Sequence, residues 1–263
     1  MIFCKDKKPY LCRDKKNEMK RLFLTTIIVL ASCCAYSQSY LRTRFNTEID
    51  YSRTAQTDLT CSFAADYRTE KGHGLTLGYK LGSDKHFFNL AYQIALFKDF
   101  TGDKTFYIEN RYLYRYFNAY KLQEFNAMFS LGYRNIHWDF KLGLCNRYIA
   151  EIPLRLNGGE GVIFEPMNVV FDIDFYLFPL EMAKNPTSYF DIWRNWNIGC
   201  GISNYREFII ERVTLFYYTM HGYYDINEQW RITGEAGLHP AGVLNLSSQY
   251  NGYFFNIGCT YKY

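Results

Sequence analysis

Long apolar runs are what this 263-residue chain most lacks. The single one, residues 22–36 (LFLTTIIVLASCCAY), is too short to span a bilayer as a helix, which takes about 20 residues. Mean hydropathy is −0.27, where a helical membrane protein would be strongly positive. Proline numbers only 6, and no segment sustains the 3.6-residue apolar period of an amphipathic helix. The motifs of common cofactor chemistry are missing as well. The sequence has no H-E-x-x-H, no P-loop, no G-x-S-x-G and no dinucleotide fingerprint. Cys61, Cys145, Cys200 and Cys259 are scattered without a C-x-x-C pair, a spacing that argues against zinc. His73, His86, His137, His221 and His239 fall mostly at strand ends or turns, none in an H-x-S pairing. No catalytic residue, cofactor or metal is therefore expected.

An excess of positive charge is also lacking once the leader is set aside. Residues 1–37 hold eight Lys/Arg and three Asp/Glu, which leaves 22 basic and 23 acidic residues beyond them. No basic domain remains to bind nucleic acid. The leader itself reads as export machinery. Lys20-Arg21 precede the apolar run, and Ala35-Tyr36-Ser37 puts small residues at −3 and −1 of a cleavage before Gln38. Met19 is the expected start, residues 1–18 an over-extended one, and 19–37 a signal peptide. Leu30-Ala31-Ser32-Cys33 offers a competing lipobox that would make Cys33 a lipidated N-terminus.

What the chain has in abundance is aromatic residues: 19%, with 25 Tyr and 22 Phe. Rings that are apolar with a polar tip suit the interface girdles of a membrane barrel. The final segment shows the pattern most clearly. Tyr253, Phe255, Ile257, Cys259, Tyr261 and Tyr263 alternate with Asn256, Gly258, Thr260 and Lys262, so a strand there has one apolar and one polar face. Alternation and turn residues predict twelve strands, over 41–51, 58–68, 73–81, 86–97, 105–117, 123–134, 137–149, 161–177, 190–203, 207–221, 227–238 and 250–263. The even count depends on splitting 190–221 at Ser203-Asn204, and ten or fourteen strands stay open. Alternation is weakest over 161–177 and 207–221, where Glu211 falls on the apolar side. The prediction is one all-β domain over 38–263, a transmembrane antiparallel up-and-down β-barrel. Its long outer connections are 150–160 and 239–249, no large plug is expected, and an inner connection near 178–189 is longer than a tight turn.

If the apolar faces meet lipid, parity places Arg42, Arg44, Glu48, Asp66, Lys80, Glu109, Arg111, Arg115, Arg134, Asp139, Lys141, Asp172, Asp174, Arg231, Glu235 and Lys262 inside, together with Asp50 and Arg68. Charges facing a lumen need water or one another. They form either selectivity rings of a hydrated pore with a mildly cationic bias, or a paired network that holds a narrow barrel shut. Arg111 and Arg115 with Glu109 are the sharpest cluster: a basic ladder at a constriction, or cross-strand pairs, for instance with Asp172 and Asp174. Those two carboxylates share a face but make a weak metal or acid–base site.

The leader ending Ala35-Tyr36-Ser37-Gln38, the Tyr-rich alternation and the aromatic C-terminal strand resemble the porin-like outer-membrane proteins of Bacteroidota. The resemblance implies a Gram-negative outer-membrane location, lipid contact around the barrel, and recognition of the last strand by the barrel-assembly machinery. It carries over no catalytic residue. Three functions are expected, in this order: a passive channel for small solutes, a structural or surface-interaction barrel with an ion-paired closed interior, and a lipid-modifying enzyme.

Overall fold

The computed structural model describes residues 40–51, 57–98, 104–118, 121–151, 162–181, 185–210, 216–240 and 252–263. The expected leader, Glu211 and most of the two long outer connections lie outside the described residues. Among those described, the strands in chain order are β1 (Tyr40–Tyr51), β2 (Thr57–Arg68), β3 (Gly74–Leu81), β4 (Lys85–Lys98), β5 (Thr105–Phe117), β6 (Leu122–Arg134), β7 (Trp138–Glu151), β8 (Val162–Tyr176), β9 (Trp196–Ser203), β10 (Tyr205–Arg206), β11 (Ile209–Ile210), β12 (Tyr217–Asp225), β13 (Trp230–His239) and β14 (Gly252–Lys262). Twelve of these close an antiparallel barrel in the order β1-β14-β13-β12-β9-β8-β7-β6-β5-β4-β3-β2, while β10 and β11 pair with each other alone. The first and last strands zip together from Arg42↔Lys262 to Tyr51↔Tyr253. That seam closes the barrel.

Alternation along each strand sorts side chains by face. In β4, Phe88, Leu90 and Tyr92 point out while Phe87, Asn89, Ala91 and Gln93 are buried inside. The outer surface is apolar over most of the circumference: Leu131, Leu142, Phe255 and Ile257 are 55%, 49%, 60% and 70% exposed. An apolar belt of this extent is unstable against water and is what hydrocarbon requires. Aromatic pairs bracket it toward the strand ends. Phe106–Tyr133, Trp138–Phe175 and Trp230–Tyr261, with centroids 4.7, 4.8 and 4.7 Å apart, lie near the end that carries Tyr40 and Lys262; Tyr148–Phe164 (4.6 Å) lies near the other. Cys61 and Cys200 face outward and Cys145 is buried inside; all four described cysteines are free.

Besides the strand expected over 190–203, which begins only at Trp196 after a 3-10 turn at Tyr189–Asp191, two segments depart from the expected pattern. In β8 the β7 partner advances from Asn168 to Glu165 between Cys145 and Arg147, an irregularity at Pro166-Met167. Met167 has φ +52°, and its N–H donates to the Asn146 side chain. A bulge tolerates proline because one N–H leaves the ladder there, and it reverses parity, so Glu165 and Asp172 both face inward. The second departure corrects the expected strand over 207–221. The wall strand here starts at Tyr217, and residues 205–210 form the separate β10–β11 hairpin.

Near the middle of β7, the outward Leu144 tests the lipid assignment. Leu144→Arg is expected to lower the unfolding free energy in bilayers by about 2–4 kcal/mol, read from denaturant titration in vesicles. An unchanged midpoint would place Leu144 outside hydrocarbon.

Candidate functional site: a charged lumen and an inward hairpin

The chain leaves the barrel wall at Asn204 because side chains take over the strand ladder there. Asn204 is fully buried; its carboxamide accepts from the Phe171 N–H (2.7 Å) and donates to the Val169 carbonyl (2.7 Å). Ser203 Oγ donates to the Phe171 carbonyl at 3.0 Å and accepts the Tyr205 N–H at 3.0 Å. These bonds replace the backbone partners that β8 would otherwise lose, so β9 can stop after Ser203. Tyr205 to Ile210 then turns into the lumen, and the Tyr217 hydroxyl donates to the Tyr205 carbonyl. No large plug is expected from the sequence, and what folds inward here is a six-residue hairpin.

The hairpin is gripped first by the wall formed by β1, β14 and β13, where Glu48 and Glu235 flank Asn256. The Arg206 guanidinium reaches Glu48 of β1 (2.9 Å) and Glu235 of β13 (3.1 Å) while lying 3.6 Å over the Phe254 ring of β14. Glu48 also takes Lys80 of β3 at 2.7 Å. On the same side Glu207 accepts from Arg44 (2.9 Å), which also holds Asp66 at 2.7 Å. Arg111, paired with Glu109 at 3.0 Å, donates to the Arg206 carbonyl at 3.5 Å, and both Arg111 and Lys141 lie over the Tyr205 ring. Lys141 pairs with Asp172 at 3.2 Å. Two glycines make the seats. A Cβ on Gly78 would sit 2.8 Å from the Phe208 ring, and one on Gly237 would sit 1.9 Å from the Phe254 ring. In a low-dielectric lumen such pairs exclude alternatives, because a charge left without its partner costs several kcal/mol.

Tyr205 and Phe208 also complete an apolar cluster with Phe87, Leu113, Met128, Cys145 and Val170, all buried inside the barrel. Glu124 accepts from Arg115, Arg147 and Asn126 beside this cluster, on the side away from Tyr40 and Lys262. The other half of the lumen is open space. A cavity of about 1190 Å³ runs from the hairpin to the end that carries Tyr40, where Glu181, Trp193 and the turn residues Ile226 to Gln229 line it. At this mouth His137 contacts Asp191 (3.2 Å) and the Tyr176 carbonyl (2.9 Å), tying down the long connection between β8 and β9. Hydrogen bonds from Thr187 and then His137 hold the Asp191 carboxyl well below the usual carboxylate range. Its anchoring is therefore complete above the ordinary carboxylate pKa and is lost only as pH falls through the depressed one.

Every candidate of the first set lines this cavity except Arg115: Arg42, Arg44, Glu48, Asp66, Lys80, Glu109, Arg111, Arg134, Asp139, Lys141, Asp172, Asp174, Arg231, Glu235 and Lys262, with Arg68 added and Asp50 outside it. Arg111 and Arg115 do not act as one ladder. Their carboxylates are Glu109 and Glu124, not Asp172 and Asp174. Asp174 has His221 at 3.8 Å, and Arg134 pairs with Asp139. Sequence reasoning missed Glu124, Arg147, Glu165, Arg206 and Glu207. Glu124 and Arg147 lie within the expected strands 123–134 and 137–149, and the same inward parity followed along them would have found both. The Pro166-Met167 bulge hid Glu165, and nothing periodic marks a six-residue hairpin.

No protein-family model matches the chain, and no curated protein matches it. Solved structures that are similar in fold include outer-membrane proteins. A KdgM porin in complex with disordered oligogalacturonate is 12% identical, with a TM-score of 0.46 over 84% of this chain and 98% of that one. The outer membrane protein Omp33 of Acinetobacter baumannii is 7% identical, with a TM-score of 0.41 over 86% and 99%. Outer membrane phospholipase A of Escherichia coli is 8% identical, with a TM-score of 0.46 over 84% and 89%. At such identities and scores these likenesses carry no assignment of function.

Arg206 is the residue on which the hairpin contacts converge. Arg206→Met is expected to destabilise the folded barrel by about 3 kcal/mol, since it leaves Glu48 and Glu235 with an unmatched charge. Arg206→Met combined with Glu235→Gln should recover part of that loss. Equilibrium unfolding in detergent measures both, and strict additivity of the two changes would dissolve the proposed coupling.

Proposed function

We propose that the chain is a porin-like outer-membrane β-barrel whose lumen is a charged vestibule, shut at rest by the β10–β11 hairpin. The apolar belt supports membrane residence, and closure on strands supports the outer membrane of a Gram-negative cell, consistent with the Bacteroidota-like ends of the sequence. Lipid around the belt and the barrel-assembly machinery at β14 are the partners this reading implies. The observation that carries it is that the hairpin is held on two sides of the lumen: Arg206 sits on Glu48 and Glu235, which flank Asn256 of β14, while Arg111 of β5 and Lys141 of β7 lie over the Tyr205 ring. The ion-paired interior expected as an alternative from the sequence is then the resting state, and passage of small solutes requires the hairpin to yield. A freely conducting passive pore fits this geometry less well, because the lumen beyond the hairpin is filled by the apolar cluster.

Planar-bilayer recording tests the reading. The wild-type barrel is expected to show no sustained steps at low voltage. Arg206→Ala with Glu207→Ala is expected to show discrete conductances, because both anchors to β1 and β13 are lost. Steady wild-type conductance of the same size as the variant's would sink it.

A further inference from the structure

The lumen differs in how its charges are met from depth to mouth. In the depth, Arg44, Lys80, Arg111, Lys141 and Arg206 each contact a carboxylate, and nearer the mouth so do Arg134 and Arg231. At the mouth, Arg42, Arg68 and Lys262 have no carboxylate partner among the described residues, although all three line the cavity. Arg42 and Lys262 are direct cross-strand neighbours on the inward face of the closing seam. Like charges directly opposite are destabilising in a sheet unless something of opposite sign lies between them. Both cations converge on one ring: the Arg42 guanidinium lies 5.1 Å and the Lys262 ammonium 5.2 Å from the Tyr40 centroid. Arg68 is the cross-strand neighbour of Tyr40 on the other side.

The carboxylate nearest to them in register is already engaged. Asp66 stands opposite Arg42 in register, yet it accepts from Arg44 and from Thr76 (2.7 Å). Arg231 also faces Arg42, but it is held by Asp225 and lies 3.7 Å over the Tyr223 ring. Glu181 and Glu228 line the mouth from segments between strands and make no ion pair to the three cations. A set of two guanidinium forks and an ammonium around a ring is suited to an oxyanion, whose oxygens accept from all of them.

We propose that Arg42, Arg68 and Lys262, arranged around Tyr40, form a binding site for the phosphate or carboxylate group of an anionic solute entering the vestibule from the end that carries Tyr40. The proposal rests on the reading of the vestibule as a solute space, but not on its conducting. A headgroup phosphate of an inner-leaflet lipid shares the same chemistry.

Isothermal titration calorimetry of the full folded barrel in nonionic detergent, with inorganic pyrophosphate and with citrate as probes, tests it. Saturable binding is expected for the wild type, weakening as salt rises. Arg42→Gln with Lys262→Gln is expected to lose at least about tenfold in affinity, the loss of roughly one charge-assisted contact. Arg68→Gln alone should weaken binding independently, and Lys71→Gln, an exposed cation outside the lumen, should not. Without probe, Arg42→Gln should unfold at the same or a higher denaturant concentration, because it relieves repulsion. Adding phosphatidylglycerol to the micelles assigns the source: competition points to a lipid headgroup, and unchanged affinity to a soluble anion. No wild-type binding, or equal affinity in the folded double variant, would overturn the proposal. Neither result bears on whether the hairpin blocks current.

Discussion

Pairing of β1 with β14 is the constraint on which the rest of the structure depends. In hydrocarbon each unpaired backbone group costs several kcal/mol, so a twelve-strand sheet has to close. Closure makes inside and outside different solvents. Alternation then sends Phe255 and Ile257 to lipid, and Asn256 and Thr260 to the lumen. It also confines the charges of every strand to one small volume, where they must find water or each other.

The barrel satisfies that requirement differently at its two ends. Toward the outer connections, Glu124 gathers Arg115, Arg147 and Asn126 beside an apolar cluster. In the middle, the chain itself supplies the missing partners, since Arg206 answers Glu48 and Glu235, and Glu207 answers Arg44. Toward the end that carries Tyr40, the lining stays open, and among the described residues Arg42, Arg68 and Lys262 make no ion pair. The hairpin is thus held by ion pairs as well as by the apolar cluster that Tyr205 and Phe208 join.

Much of this is legible in the sequence because β structure in a membrane barrel repeats every second residue. The strands from β1 to β7 and β13 to β14 fall within three residues of the expected limits, and parity puts Arg44, Glu48, Lys80 and Lys141 on the side where they are found. The twelve-strand count is reached partly by compensation. Ser203-Asn204 is a break, as its turn chemistry indicates, but Tyr205 to Ile210 turn inward before the wall resumes at Tyr217. Pairing partners are not legible, since alternation tells which face a charge occupies and not which charge it meets. Pro166-Met167 shows the same limit, because one extra residue reverses the face of everything before it.

The central claim is that residues 205–210 turn into the lumen and seat Arg206 on the wall formed by β1, β14 and β13. Zero-length carbodiimide coupling of the R206K variant, folded in detergent and digested for mass spectrometry, tests it most directly. The account requires an amide joining position 206 to Glu48 or Glu235, because those carboxylates lie 2.9 and 3.1 Å from the native guanidinium. Position 206 left uncoupled, while Lys80 couples to Glu48 in the same sample, would contradict it.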